Sequence, residues 1–442
     1  MEQDRAFELF LQGRNLFITG PGGSGKSTLI AKMVQHMKSH SIEYSVCAMT
    51  GCAAVLLGNA TTLHSWSGMQ LARGLEEDVV RRIEGNKFAA KNYQKTQVLI
   101  VDEVSMMSKK IFNILYRVIM NINPSMQIIF TGDFYQLPPV GDTAEPDTMA
   151  FCFESEYWND WFPCENCVVL TKIYRQNDPI YIELLQNIRV GHITLEQCEI
   201  LNSRVNETSC IDEVNGIFPP HLYPIKRTVD SYNKRKHIEL KGESCLFQYT
   251  VKTDCRTYVD NGDPIEPAVL DKCRKMSKSA IDFEVSSIVS LNGIQDAVEL
   301  KVGCLVMLTK NLSVERGLCN GSQGKVIRFA PSKSSSVKLP VVEFSNGIQE
   351  IITFYEHQSS TYPSIVVSKI PLILSWALTI HKVQGTTLDK AIMDLGSTIF
   401  EDGQAYVALS RVKSLDGLFL ERFNPRKIKV NPKLVEFYAG LN

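Results

Sequence analysis

Residues 20–28 read GPGGSGKST, and residues 20–27 fit the pattern G-x-x-x-x-G-K-[ST] in full. Glycines at Gly20, Gly22, Gly23 and Gly25, with Pro21 and Ser24 between them, let successive backbone N–H groups curl around phosphate oxygens. A helix starting near Lys26 turns its positive end toward the same anion. The Lys26 ammonium can reach β- and γ-phosphates, the Ser27 hydroxyl can ligate Mg²⁺, and Thr28 continues the first turn. A metal-bound triphosphate also needs a carboxylate at the end of a neighbouring strand. The run Val98-Leu-Ile-Val-Asp102-Glu103 supplies two. Asp102 is placed to hold Mg²⁺ and Glu103 to orient or deprotonate the attacking water. These two motifs define a Mg²⁺-dependent nucleoside triphosphatase without naming its task, since kinases, transporters and motors share them.

The motif positions require strands that end in glycine or carboxylate and helices that follow them. Residues 15–20 (NLFITG) read as a short apolar strand, and 27–40 carry apolar residues at helical spacing. Residues 43–50, 97–102 and 127–132 read as further strands, with Ile111, Ile114, Leu115, Val118 and Ile119 on one helical face between the last two. Continuous apolar strands separated by helices predict a parallel sheet covered on both faces. A strand over 222–225 and a helix over 229–240 follow. Residues 241–300 carry no clear period. From about 302 to 370 the pattern changes to short β runs, with turn signals at Asn320-Gly321 and Asn346-Gly347. The expectation is an α/β protein with a parallel sheet in its first half, a less regular second half, and a small β-barrel inserted in an α/β domain.

Composition agrees with a folded soluble protein. The 442 residues are 44% hydrophobic and 21% charged, which argues against a largely disordered chain. Lys and Arg total 47 against 48 Asp and Glu. That balance excludes a histone-like basic binder but leaves room for a local basic groove. No run of about 18 apolar residues marks a membrane span. The N-terminus, MEQDRAFELF, has neither a basic segment before an apolar core nor an Arg-rich pattern. The expected setting is intracellular and reducing, nucleus or cytoplasm. The 12 cysteines are then free thiols. Cys164 and Cys167 form a CxxC without a second pair, so buried thiols are favoured over zinc.

Further motifs separate motors from other triphosphatases. Thr50-Gly51-Cys-Ala53-Ala54 follows the second strand, and Thr62-Leu-His64-Ser65-Trp66 comes soon after. Gly132-Asp133-Phe-Tyr-Gln136-Leu-Pro138-Pro139 ends another strand, and Lys172-Ile-Tyr-Arg175-Gln176 follows it. Thr379-Ile-His381-Lys382-Val-Gln384-Gly385-Thr386 and Tyr406-Val-Ala-Leu-Ser410-Arg411 stand near the C-terminus. In this order, over residues 3–417, they resemble the Pif1 family of superfamily 1B DNA helicases, with the RecD and Dda helicases as more distant relatives.

The resemblance implies an ATP-dependent 5′→3′ DNA helicase with two RecA-like P-loop motor domains. It implies domain 1A over 1–190, with a short 1B insertion at about 62–95, and domain 2A over 191–300 and 371–442. An SH3-like 2B insertion would occupy 301–370. ATP and Mg²⁺ would be the cofactors. Single-stranded DNA and tailed or forked duplexes would be the partners, with the chain monomeric on DNA and in reach of replication or repair proteins. Gln136 would hydrogen-bond the γ-phosphate. Arg175 and Arg411 would act as arginine fingers from opposite walls of an interdomain cleft. Gln3 would read adenine, and Gly385 would line the nucleotide. Thr50, Thr62, His64, Ser65, His381 and Lys382 would contact DNA phosphates, and Trp66 would stack on a base unless it is a core aromatic. Lys226, Arg227, Lys234, Arg235 and Lys236 read as a solvated helix face.

Two departures bear on the reading. Family members carry a longer signature between the DE and GDF motifs, with an Arg-rich helix and a PFGG element. Here 111–115 matches its start and 116–125 replaces the rest. The stretch between Trp66 and Thr96 is also short. A preference tied to that signature, such as G-quadruplex unwinding, is therefore not carried over. The alternatives are a DNA-stimulated translocase or motor subunit that needs a partner to unwind, a P-loop switch, and RNA in place of DNA.

Overall fold

The computed structural model describes residues 2–57, 60–70, 72–207, 218–253, 267–291, 294–313, 315–331, 337–359 and 362–441. Two compact units divide them. The first is built from described residues within 1–212, 219–230 and 377–442, the second from Phe218 and those within 231–376.

The first unit contains two parallel sheets. One has the strands β1 (Leu16–Thr19), β2 (Tyr44–Ala48), β3 (Thr61–Thr62), β4 (Val98–Asp102), β5 (Gln127–Gly132) and β6 (Cys167–Val169) in the order β3-β2-β4-β5-β1-β6. β1, β4 and β5 are buried over their whole length, which is why they read as unbroken apolar runs rather than alternating ones. Register brings the motif ends together. Thr19 pairs with Gly132, Val101 with Phe130, and Ala48 with Asp102. The P-loop, the Asp-Glu pair, the GDFYQ stretch and the Thr50 stretch therefore leave the sheet at the same edge, where open α/β sheets bind ligands.

The second sheet has β7 (His221–Tyr223), β8 (Ala377–Thr379), β9 (Ala391–Leu395) and β10 (Leu418–Phe423) in the order β8-β7-β9-β10, all parallel. The helix Gln404–Leu409 that precedes Arg411 is wholly buried. The last helix, Pro432–Ala439, packs where sequence order does not suggest. Its Leu434 and Tyr438 belong to the core of the first sheet, with Phe17, Phe134 and Trp158. Burial of these large side chains, about 1.5–3 kcal/mol each, holds it there.

The second unit is rich in antiparallel sheet. Its largest sheet orders Gln349–Ile351, Lys338–Phe344, Gln323–Pro331, Leu305–Leu308 and Leu372–Leu374 around Val306, Val326, Val342 and Phe344. The β runs read between 302 and 354 contribute strands to this sheet, while Val366–Lys369 pairs with Tyr355–Gln358 in a separate three-stranded sheet. Described residues within 241–300, a range without a clear period in the sequence, join the same unit by pairing. Cys245–Gln248 pairs with Ala297–Leu300, and Thr250–Lys252 with Val366–Lys369. Strands of three or four residues, one of them fully exposed, are too short to show a period of two. Among the described residues no helix is long and apolar enough to cross a membrane.

Candidate nucleotide and nucleic-acid site

The chain turns at Gly20 out of β1 and enters the helix Lys26–Ser39 through Gly25, which is left-handed at φ 86°. The loop is closely flanked. A Cβ on Gly23 would sit 2.5 Å from the Arg175 Cβ, and one on Gly25 would sit 2.6 Å from the Gln3 amide nitrogen. One on Gly22 would lie 3.5 Å from the Arg411 guanidinium and 3.6 Å from that of Arg175. Glycine is required here for close approach as well as for φ. The two arginines, distant in sequence, thus converge on one loop.

A cavity of about 520 Å³ opens at this point, within the range of small-molecule sites. Gly22 to Thr28, Asp102, Glu103, Gln136, Arg175, Gly385 and Arg411 line it. Sequence reasoning missed three other lining residues, Tyr174, Thr387 and Lys413. Tyr174 and Thr387 adjoin motif residues, which was the available signal. Lys413 lies two residues beyond Arg411 and ion-pairs with Asp389 at 2.7 Å.

Charges in the cavity are poised by burial. Lys26 donates to the carbonyls of Gly20 (2.7 Å) and Pro21 (3.0 Å). Burial lowers its pKa, against the pull of Asp133, Glu103 and Asp102. Asp102 accepts from the Glu103 N–H at 2.9 Å and from the Thr131 hydroxyl, while burial pushes its carboxyl upward. Glu103, left-handed at φ 56° just past β4, is raised to about 7, first by burial and then by its neighbour Asp102. Its carboxylate accepts from the Gln384 amide at 3.1 Å. The Gln136 side-chain carbonyl is buried and has no partner among the described residues.

The two arginines are fixed from behind. Arg175 donates to the Ser410 carbonyl at 3.0 Å. Arg411, 1% exposed, donates to the Val407 carbonyl (2.7 Å), the Ser410 hydroxyl (2.6 Å) and the Thr386 carbonyl (3.4 Å). Gln3 lies beside the loop, its amide 3.5 Å from the Ser24 carbonyl. Ser27 and Asp102 face the same cavity with hydroxyl and carboxylate oxygens, a hard donor set that fits Mg²⁺.

The residues read as DNA contacts sit at strand ends. Thr50 follows β2, and its hydroxyl accepts from the Ala53 N–H at 3.2 Å. Thr62 caps the helix Leu63–Ser67 by accepting from the Ser65 N–H. His64 is held down at about 4 by burial, so it is neutral near pH 7 and offers a hydrogen bond rather than a charge. His381 and Lys382 lie on the single turn Ile380–Val383 after β8, capped by Thr379. Trp66 corrects the stacking expectation. It is 7% exposed, its indole N–H donates to the Ser45 hydroxyl at 2.9 Å, and its ring lies 4.7 Å from that of Tyr93. Apolar packing took it into the core.

The basic stretch behaves as a solvated face, with Lys226 paired to Asp230 and Lys236 to Glu239. Cys164 is exposed and Cys167 buried, both as free thiols. No group of three or more His, Cys, Asp or Glu among the described residues is set to hold a metal.

Comparison with known proteins gives the same picture. A family model described as PIF1-like helicase matches residues 2–199, and one described as DNA helicase Pif1, 2B domain, matches 286–329. The chain is 33% identical over 448 residues to the ATP-dependent DNA helicase PIF1 of Danio rerio, covering 100% of this chain but 63% of that protein. It therefore spans less than two thirds of that relative's length. It is 31% identical to the ATP-dependent DNA helicase Pif1 of Bdellovibrio bacteriovorus, covering 99% of this chain and 91% of that one. The crystal structure of Pif1 helicase from Candida albicans superposes with a TM-score of 0.79 at 30% identity, covering 100% and 99% of the two chains. Pif1 helicase from Bacteroides in complex with ADP-AlF3 and ssDNA superposes at 0.67 and 25% identity, covering 99% and 96%. By sequence over its full length and by its fold, this chain belongs to the family of Pif1-like helicases.

Proposed function

We propose that this chain is an ATP-dependent DNA helicase that moves 5′→3′ along single-stranded DNA and separates duplex ahead of it. The observation that carries the reading is the convergence of Arg175 and Arg411 on the P-loop, in one cavity with the Asp102–Glu103 pair. A switch protein needs one phosphate loop; two guanidinium groups from separate elements suit stabilisation of a transferring phosphoryl group. The Bacteroides relative, 25% identical and covered over 96% of its length, was captured with ADP-AlF3 and ssDNA.

In the proposed reaction, Lys26 exchanges its contacts to Gly20 and Pro21 for the β- and γ-phosphates. Glu103 takes the proton of the attacking water, Gln136 orients that water or the γ-phosphate, and the two arginines neutralise developing charge. Ser27 and Asp102 would hold Mg²⁺, which supplies further charge neutralisation at the phosphates when bound. Gln3 reads the base. Thr50, Thr62, Ser65, His381 and Lys382 grip the DNA backbone, with His64 as a neutral donor. Movement follows from alternating grip on the two parallel-sheet domains. Polarity and DNA as the substrate come from the family.

The test is strand separation with Mg²⁺-ATP on duplexes bearing either a 5′ or a 3′ single-stranded tail, with Lys26→Ala as control. Unwinding of the 5′-tailed duplex alone, lost in the variant, is the expected outcome. Unwinding of only the 3′-tailed duplex would overturn the polarity. No unwinding, with hydrolysis still stimulated by single strands, would leave a translocase that needs a partner.

A further inference from the structure

One short run of chain touches the DNA candidates, the general base and a finger arginine. β8 ends at Thr379, and the turn Ile380–Val383 carries His381 and Lys382. Gln384 follows, then Gly385 in the wall of the nucleotide cavity. Gln384 is 5% exposed. Its amide N–H donates to the Glu103 carboxylate at 3.1 Å, and its carbonyl oxygen is buried with no partner among the described residues. Burying a polar group without a partner costs about 1–3 kcal/mol, so apolar packing alone would not select glutamine here.

The run is stiff. The Thr386 hydroxyl donates to the Val383 carbonyl at 2.7 Å, and the Thr386 N–H donates to the same carbonyl at 3.1 Å. The Gln384 N–H reaches back to the His381 carbonyl at 3.3 Å. Arg411 donates to the carbonyls of Val383 and Thr386 at 3.5 and 3.4 Å. A displacement of the His381–Lys382 turn is therefore carried to Gln384 within three residues, with no flexible link between. Glu103 has no comparable anchor of its own. It stands in left-handed backbone just past the strand end, and the hydrogen bond its carboxylate accepts among the described residues is the one from Gln384.

We propose that Gln384 is the positioning residue through which single-stranded DNA, held at His381 and Lys382, aims Glu103 at the attacking water and so sets the rate of ATP hydrolysis. This rests on the function proposed above. A base displaced by about 1 Å can lose about 10²-fold in rate, enough to make hydrolysis conditional on DNA. Gln384 is not among the residues that line the nucleotide cavity; its amide acts through the Glu103 carboxylate.

The experiment is steady-state ATP hydrolysis by the full chain across a titration of an oligo-dT strand, with fluorescence anisotropy for DNA affinity. Gln384→Met keeps length and removes the donor. At saturating DNA its kcat should fall about 10²-fold, with the KM for ATP and the Kd for oligo-dT within about twofold of the parent. Gln384→Asn keeps an amide but is one methylene short of the 3.1 Å bond, and should show the same split. It serves where the methionine variant does not fold. A parent chain that oligo-dT stimulates, with either variant stimulated to the same kcat, would overturn the inference alone. So would kcat and DNA affinity falling together, which marks a structural role. A parent whose hydrolysis ignores DNA would instead overturn the proposed function.

Discussion

Asp133 is the second residue of the GDFYQ stretch, and the structure gives it a partner the sequence did not show. It is fully buried and meets Arg189, at the end of the helix Pro179–Arg189, in a forked pair with bonds of 2.8 and 3.0 Å. The hydroxyls of Tyr406 and Tyr438 lie 3.4 Å from the same carboxylate. The Arg189 guanidinium also lies 4.5 Å from the Tyr135 ring centre. Asp133→Asn removes the charge and one arm of the fork, leaving a guanidinium whose side chain is 14% exposed without its counter-ion. Breaking a buried pair from one side costs about 3–5 kcal/mol. For a unit of this size each kcal/mol is about 2–4 °C in Tm, so a drop of about 6–20 °C is expected. Calorimetry on the full chain reads it directly. The companion variant Asp133→Asn with Arg189→Met removes both charges and should regain most of the loss, because the cost lies in the stranded cation. A single variant melting within about 2 °C of the parent, or a double variant as unstable as the two singles combined, would refute the reasoning.

Three further outcomes follow from the site. Arg411→Lys keeps a cation but loses the fork; kcat should fall by about 10³-fold, the lower end for an arginine finger, while binding of a fluorescent ADP analogue stays within a few-fold. Equal loss of both would assign Arg411 to folding. Trp66→Phe should cost about 1 kcal/mol through the lost bond to Ser45 and leave oligo-dT affinity unchanged. An anisotropy titration showing a tenfold weaker complex would restore the stacking role. His64 has a folded-state pKa of about 4, below its ordinary 6.5. The unfolded chain therefore takes up the proton first, and stability present above pH 6.5 is lost as pH falls toward 4. His64→Asn should flatten that part of a Tm-against-pH curve, and an unaltered slope would show that His64 is not the group responsible.

Legibility in the sequence followed locality. The P-loop, the Asp-Glu pair and Gln136 could be placed from sequence because each lies at the end of a buried strand whose apolar run is unmistakable. That Arg175 and Arg411 come together was available only through the family resemblance, since no local period encodes a meeting of residues 236 positions apart. The same limit hid the Asp133–Arg189 pair and the seating of Tyr438 beside Thr19, where the two hydroxyls lie 2.7 Å apart. Trp66 went astray for a different reason. An indole with one N–H suits both a base stack and a core with one acceptor, and only the position of Ser45 and Tyr93 decides between them. Residues 245–252 stayed unread because strands of three or four residues with exposed positions carry too few alternations to register.

Arg175 and Arg411 oppose each other electrostatically, which bears on the coupling of hydrolysis to movement proposed above. Burial lowers the pKa of Arg175, and burial together with the neighbouring Arg175 lowers that of Arg411 to about 9, against the opposing pull of Glu103. Two desolvated cations close enough to oppose each other make the pocket hostile to itself and receptive to a multivalent anion. In the function proposed above, a γ-phosphate between them would turn the repulsion into attraction on both sides and favour the arrangement with both guanidinium groups at the P-loop. On the same reading, cleavage and loss of that phosphate would restore the repulsion between the two groups. A replacement that kept one guanidinium and neutralised the other would weaken closure on ATP and opening after hydrolysis together, whereas a residue that only bound nucleotide would weaken the first alone.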